Sequence, residues 1–353
     1  MHDAVSPIPW TTLPEWLATH PLLDAAGGPV APLAFVELPR APIGTDDHVL
    51  QAVRAQGAPR VLVGVAAGGA GEACMRAAMA MSCSLSVFAH SSRAIVQVGD
   101  LSAACAAIAA QVGACPRAAL VLADLLAVKS EADEGLRDAL VRESFAYSML
   151  RSGPEFARWL RRRPRPPAMR APGSPLQVRR EGDRLVLVLD DPARRNAFGA
   201  AMRDALLAAL EVALADERLA VDLCGNGPSF SSGGDLDEFG LAANPVDAHL
   251  VRLEASVGWR MARCAARTTV RVHGACIGAG LETAAFARQV VARPDAFFRL
   301  PELAMGLIPG AGGTVSVPRR IGRWRAAWMV LGGCQVDAAT ALAWGLVDRV
   351  SPA

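Results

Sequence analysis

VHGACIGAGLETAA, Val272 to Ala285, is where the fold and the chemistry of this chain meet. A β-rich run, Thr268 to His273, reads as a strand and ends in glycines, and Gly278 to Arg288 reads as a helix. Backbone amides near Ala279 and Gly280 then point out of a helix N-terminus, where they can stabilise a developing oxyanion. Glu282 falls in the first turn of that helix among Ala and Leu. Taken singly it reads equally as an ordinary N-terminal helix carboxylate. Gly278-Ala279-Gly280 also looks like the start of a dinucleotide-binding GxGxxG turn. The third glycine position is Thr283 and no clear acid follows about 20 residues on, so that reading is rejected.

Two further clusters flank this one. Upstream, SFSSGGDLDEF, Ser229 to Phe239, runs a strand into small residues and starts a helix near Asp235. Gly233 and Gly234 allow close approach of backbone to a ligand, although a turn with an Asp N-cap accounts for the pattern too. Downstream, FFRLPELAMGLIPGAGGT, Phe297 to Thr314, places Pro301 at the first position of a short helix with Glu302 behind it. A carboxylate set among Leu300, Leu303, Met305 and Leu307 is partly desolvated, which raises its pKa and suits it to act as an acid.

The chain around these clusters alternates strand and helix. Leu185–Asp190 and Leu219–Cys224 read as strands. Between them Ala200–Asp216 carries Met202, Leu206, Leu210 and Leu214 on one apolar face. Val290–Ala292 and Ala296–Leu300 are further extended pieces, and the order implies right-handed crossovers and a largely parallel sheet. In the first half, Leu33–Leu38, Arg60–Val65, Leu85–Ala89 and Ala94–Val98 read as strands and Asp46–Gln56 and Gly71–Met81 as helices. Residues 101–160 are helical, with breaks at Pro116 and Gly153-Pro154. The pattern predicts an N-terminal α/β module over 1–160, a linker over 161–175 and a second α/β half over 176–353. The linker, RRRPRPPAMRAPGSP, holds five Pro and five Arg, which deny it helix and ladder hydrogen bonds.

Together the clusters resemble the crotonase (enoyl-CoA hydratase/isomerase) superfamily over about residues 176–350. The resemblance is carried by RRNAF (Arg194–Phe198), SSGGDL, GACIGAGLE, LPELAMGLIPGAGG and GLVDRV (Gly345–Val350), in that order. It implies an α/β chain whose C-terminal half adopts the crotonase (ClpP-like) spiral of ββα units, behind a degenerate α/β module that is a candidate crotonase-like copy without an active site. It implies that the Gly234 and Ala279 amides form an oxyanion hole for a thioester carbonyl, and that Glu282 and Glu302 are the two catalytic acids. Arg195, Asn196 and Ala197, with Asp235 and Gly310, would lie along the coenzyme A. Ala279 stands where the family usually has Gly, a change an amide donor tolerates. As written the chain ends just past GLVDRV, short of the family's usual closing helices. Glu134–Arg163 resembles those helices, with Leu136, Leu140, Phe145, Leu150, Phe156 and Leu160 as a docking surface. It is expected either to cover the acyl pocket or to be an unrelated amphipathic hairpin that buries only its own face.

The expected function is hydration of a 2-enoyl-CoA by a lyase, with Glu282 as base orienting water and Glu302 as acid to C2. The alternatives are an isomerase, a thioester hydrolase, a cofactor-independent oxygenase, or a non-catalytic acyl-CoA-binding protein. The composition, 52% hydrophobic and 20% charged over 353 residues, excludes disorder and a small disulfide scaffold. A net charge of +2, carried by scattered Arg with Lys129 the only Lys, argues against a nucleic-acid partner. No stretch free of Asp, Glu, Lys and Arg exceeds 16 residues, so no membrane span is expected. The N-terminus lacks a secretory pattern. The eight Cys form no CxxC pair and the six His do not cluster, so no metal and no cofactor beyond the CoA of the substrate are expected. A cytoplasmic homo-oligomer is expected: a trimer or hexamer of crotonase type, or a dimer or trimer built on the N-terminal module.

Overall fold

The computed structural model describes residues 6–40, 44, 47–56, 60–66, 68, 71–128, 135–163, 173–241 and 244–352. Most of the expected linker, residues 164–172, lies outside them. The chain forms two compact units, Met1–Lys129 with Ile321–Gly333, and Ser130–Arg320 with Cys334–Ala353. This division differs from one drawn at the Pro/Arg-rich segment. The helices Leu136–Arg151 and Pro154–Arg162 belong to the second unit, whereas the late helix Arg323–Leu331 belongs to the first.

The first unit carries one parallel sheet, β1 (Ile8–Pro9), β2 (Leu33–Glu37), β3 (Val61–Val65), β4 (Cys83–Ser86) and β5 (Ile95–Gln97), ordered as in the chain. All of β3 is buried, as expected for a strand covered on both faces. The strand expected at Leu85–Ala89 is shifted to Cys83–Ser86. Val87 and Phe88 stand exposed beyond it, because the chain turns at Ser86, whose hydroxyl accepts the Phe88 N–H. Trp324 of the Arg323–Leu331 helix packs against the core cluster that includes Trp10, Leu50 and Met81.

Among the described residues the second unit holds nine strands in two sheets. In chain order they are β6 (Leu176–Glu181), β7 (Arg184–Leu189), β8 (Ala220–Gly225), β9 (Thr268–Val272), β10 (Ala275–Ile277), β11 (Gln289–Ala292), β12 (Phe297–Arg299), β13 (Val336–Asp337) and β14 (Arg349–Val350). One sheet runs β14-β11-β9-β8-β7-β6, parallel except for the β6–β7 hairpin, and the other runs β10-β12-β13. Successive strands therefore hop between sheets: Val272 pairs with Ala292 in the first, and Ala275 pairs with Phe297 in the second. Gly274 makes the hop. Its φ is +52°, and a Cβ there would overlap the Pro228 carbonyl oxygen.

The helix over Ala200–Ala215 buries Met202, Leu206, Leu210 and Ala213. A strict four-residue spacing drifts off a 3.6-residue face, so Ala213 takes the buried place expected for Leu214. The helix expected over Gly278–Arg288 is shorter, Ala279–Ala284. Tight turns follow, Phe286 N–H to Thr283 O and Ala287 N–H to Ala284 O, and the Arg288 N–H reaches Ala265 O to start β11. Near Asp235 the helix is a single turn, Leu236–Glu238, capped by the Asp235 side chain on the Asp237 N–H. Among the described residues no single helix is long and apolar enough to cross a membrane.

Gly274→Ala should destabilise the protein by about 2 kcal/mol or more, since a left-handed φ and a backbone overlap are both imposed on the new methyl. Urea denaturation of the two proteins measures it.

Candidate active site

A cavity of about 510 Å³ in the second unit gathers the motifs singled out in the sequence. The isolated bridge Ser231–Cys276 draws the Ser229–Gly234 segment alongside β10. At Gly233 (φ +97°) a Cβ would lie 3.0 Å from Ile277 O, so the two glycine loops touch backbone to backbone. Gly234 and Ala279 both line the cavity, and among the described residues neither N–H has an acceptor. Two backbone donors without partners in one wall are what a developing oxyanion requires.

Both expected acids reach the same cavity and both are buried, Glu282 at 2% exposure and Glu302 at 7%. Their surroundings differ. Glu282 Oε2 accepts the Ala311 N–H at 2.7 Å and the Gly313 N–H at 2.8 Å. Glu302 Oε2 is buried with no partner. Gly278 lets Glu302 in close, because a Cβ there would stand 2.7 Å from Glu302 Oε1. Burial pushes the Glu302 carboxyl up to about 8. Burial, then the charges of Glu302 and Glu143, push Glu282 well above the usual carboxylate range, against the two amides that favour its anion.

The wall also holds residues that the motifs did not reveal. Glu143, Tyr147 and Arg151 come from the Leu136–Arg151 helix, Trp159 from Pro154–Arg162 and Arg252 from Pro245–Glu254. Glu143, 2% exposed, accepts the Gly312 N–H at 2.7 Å on Oε1 and the Thr314 N–H and hydroxyl at 2.8 and 2.6 Å on Oε2. Burial pushes it up to about 7. Burial also pushes the Tyr147 hydroxyl up to about 12. Arg252 lies 4.5 Å over the Tyr147 ring and bonds the Ser144 and Ser148 hydroxyls, and burial lowers its pKa. The sequence did carry a signal: Leu140, Glu143, Tyr147 and Leu150 share one helical face, and an acid on an apolar face asks for a partner. Of the expected docking residues, Leu140, Leu150 and Phe156 are buried. Phe145 is 59% exposed and stacks on His249 instead, with ring centroids 4.1 Å apart.

The residues expected along coenzyme A divide. Asp235 and Gly310 line the cavity. Asp235 binds Arg194 at 2.6 Å, and Gly310 lies so close under the Tyr147 ring that a Cβ would overlap it. Arg195, Asn196 and Ala197 lie outside the cavity lining, whereas the next residue, Phe198, is part of it. Arg195 (φ +53°) is exposed, and Asn196 (φ +54°) is fully buried. The Asn196 amide donates to the carbonyls of Asn226, Ser229 and Phe230, and its oxygen accepts the Asp191 N–H. Those bonds lock the Ser229–Gly234 loop in place, so the side chain acts as a structural brace and is not free to meet a ligand. Among the described residues no group of three His, Cys, Asp or Glu could hold a metal, and the cysteines are free thiols.

A family model described as enoyl-CoA hydratase/isomerase matches residues 181–353. The chain is 37% identical over 180 residues to the 2,3-dehydroadipyl-CoA hydratase of Escherichia coli (strain K12), covering 51% of this chain and 70% of that protein. It is 34% identical to a probable enoyl-CoA hydratase of Rhizobium meliloti (strain 1021), covering 50% and 68%. A solved enoyl-CoA hydratase from Thermoplasma volcanium GSS1 aligns with a TM-score of 0.48 and 30% identity, over 51% of this chain and 73% of that one.

Asn196→Ala should destabilise the protein by about 3 kcal/mol, since it orphans buried carbonyls and places Ala at a left-handed φ. Thermal unfolding followed by circular dichroism measures the loss.

Proposed function

The chain belongs to the enoyl-CoA hydratase/isomerase family, and from that premise we propose that it adds water across the double bond of a 2-enoyl-CoA thioester. The observation that carries the reading is a pair of buried carboxyls in contrasting settings, facing one cavity with two unpartnered amides. The thioester carbonyl sits against the Gly234 and Ala279 N–H groups. As hydroxide adds at C3, negative charge moves through C2 to that oxygen, and each aimed amide is worth about 3 kcal/mol in a dry site.

Glu282 takes the proton from water: once Glu302 is protonated its charge no longer opposes the Glu282 anion, which the two backbone amides favour. Its Oε2 is fixed by Ala311 and Gly313, which leaves Oε1 to hold the nucleophile. Glu302 enters as the neutral acid, because its burial without a donor on Oε2 disfavours the anion, and it gives its proton to C2. One water is consumed, its hydroxyl ending on C3 while C2 gains hydrogen. The proton left on Glu282 returns to Glu302 by exchange before the next turnover. An isomerase that shuttles one proton between C2 and C4 needs a single acid–base group; the retention of two buried carboxyls favours hydration. The reactant and product differ by one water, so no cofactor beyond the CoA of the substrate takes part. Asp235 and Gly310 contribute to the CoA-facing wall.

Glu282→Gln and Glu302→Gln should each lower kcat by about a hundredfold or more with acyl-CoA binding within about threefold of wild type. Loss of enoyl absorbance with short, long and aromatic enoyl-CoA thioesters measures turnover, and calorimetry measures binding. Near-normal turnover in either variant sinks the two-carboxyl mechanism.

The pH dependence has a definite sign. Glu302 must carry its proton, so kcat should fall as pH rises through about 8. The same upward shift means that the folded state holds a proton which the unfolded state has released. Stability from this group is therefore complete below the ordinary carboxylate pKa and is lost as pH rises towards about 8. The melting temperature of wild type relative to Glu302→Gln should accordingly decline between pH 5 and pH 8, and a flat difference would contradict the assignment.

A further inference from the structure

Four consecutive backbone amides, Ala311 to Thr314, are divided in alternation between two buried carboxylates. Ala311 and Gly313 donate to Glu282, and Gly312 and Thr314 donate to Glu143. Thr314 adds its hydroxyl to Glu143 at 2.6 Å. The segment leads into the helix Gly313–Ile321 through closely packed glycines. Gly312 holds φ +107°, and a Cβ on Gly313 would stand 2.5 Å from Glu282 Cγ. Gly312, Gly313 and Thr314 stand at the start of the helix Gly313–Ile321, whose first N–H groups have no partner within the helix, so side-chain acceptors fix their aim and re-aiming one turns its neighbours with it.

We propose that Glu143, carried by the Leu136–Arg151 helix, is a positioning residue for Glu282. By gripping the Gly312 and Thr314 amides it holds the Ala311 and Gly313 amides on the Glu282 carboxylate. This rests on the hydratase reading for its effect on turnover, but not for its effect on Glu282 itself. Without an acceptor at position 143 two buried amides would be orphaned, and the backbone would turn to satisfy them. The Ala311 and Gly313 amides would swing off Glu282. Its anion would lose the donors that favour it, and Oε1 would lose its fixed direction.

Charge and reach must be separated in the test. Glu143 faces Glu282, Glu302 and Arg252, and Tyr147 stands on its own helix. Glu143→Asp keeps the negative charge among these groups while shortening the side chain by one methylene, so that it cannot span Gly312 and Thr314 together. Glu143→Gln keeps the length but removes the charge and one acceptor.

With Glu143→Asp we expect kcat to fall tenfold or more, KM to stay within threefold, and the acidic limb of the kcat profile to move to higher pH. The δ-carboxyl of Glu282, followed by carbon-13 NMR and assigned with Glu282→Gln, should titrate at higher pH than in wild type. In Glu143→Gln the lost charge lowers the proton affinity of Glu282 and Glu302, so its limbs should lie below those of Glu143→Asp. Wild-type kcat and an unmoved Glu282 titration in a folded Glu143→Asp protein would overturn the proposal. A role for Glu143 through charge alone would leave Glu143→Asp normal and change only Glu143→Gln, which overturns it as well. If Glu143→Asp fails to fold, Thr314→Val, which removes one of the donors gripped by Glu143, decides. A severalfold loss of kcat with a shifted Glu282 titration supports the proposal, and no change in either overturns it. Wild-type protein that hydrates no enoyl-CoA would defeat the hydratase reading, while the NMR titration would still decide the role of Glu143.

Discussion

The site depends on how a protein keeps three carboxyls out of water within one wall. Removing an ionised carboxylate from water without compensation is prohibitive, so each of the three must be hydrogen-bonded, protonated or both. Glu143 and Glu282 are held by backbone N–H groups of one glycine-rich segment. Glu302 Oε2 has no donor, and burial raises its pKa to about 8. The asymmetry follows from where each residue stands relative to the Ala311–Thr314 amides, which reach Glu143 and Glu282. Residues of one type are set apart here by environment alone.

That segment works only because glycines let backbone approach side chain closely. Gly310 accepts the Tyr147 ring, Gly278 accepts Glu302, and Gly313 accepts Glu282. Gly274 lets the chain pass from one sheet to the other, and the passage places β10 beside the Ser229–Gly234 loop. The spiral of alternating sheets and the convergence of the site are therefore consequences of the same few small residues. Asn196 completes the arrangement from beneath by satisfying three loop carbonyls with one side chain.

The Leu136–Arg151 helix contributes Leu140, Glu143, Ser144, Tyr147 and Arg151 to the wall of the site, although it lies far ahead of the motifs in the chain. Its buried face combines an apolar stripe with an acid that has found three donors. Burial of such a face is stabilising only when every polar atom on it is satisfied. The fit between Glu143 and the Gly312–Thr314 amides is thus a condition of docking as well as a constraint on Glu282.

By itself the sequence determined the parallel strand–helix order of the second half, the glycine turns at Gly233–Gly234 and Gly278, and the two acids Glu282 and Glu302. These are local matters: period-two and period-3.6 patterns and glycine punctuation are written in adjacent residues. The helix after Gly278 stops at Ala284, and the Arg288 N–H then bonds the Ala265 carbonyl, a tertiary contact that no local pattern shows. The bracing role of the Asn196 side chain was not legible, because its four bonds reach residues 191 and 226–230. Only the tertiary structure decided that residues 135–163 join the second unit, that Arg323–Leu331 leaves it for the first, and that Glu143 meets the 312–314 amides. Those pairings span about 170 positions of chain. They are selected by the need of buried donors and acceptors to find each other across the packed interior, a requirement that no local pattern encodes.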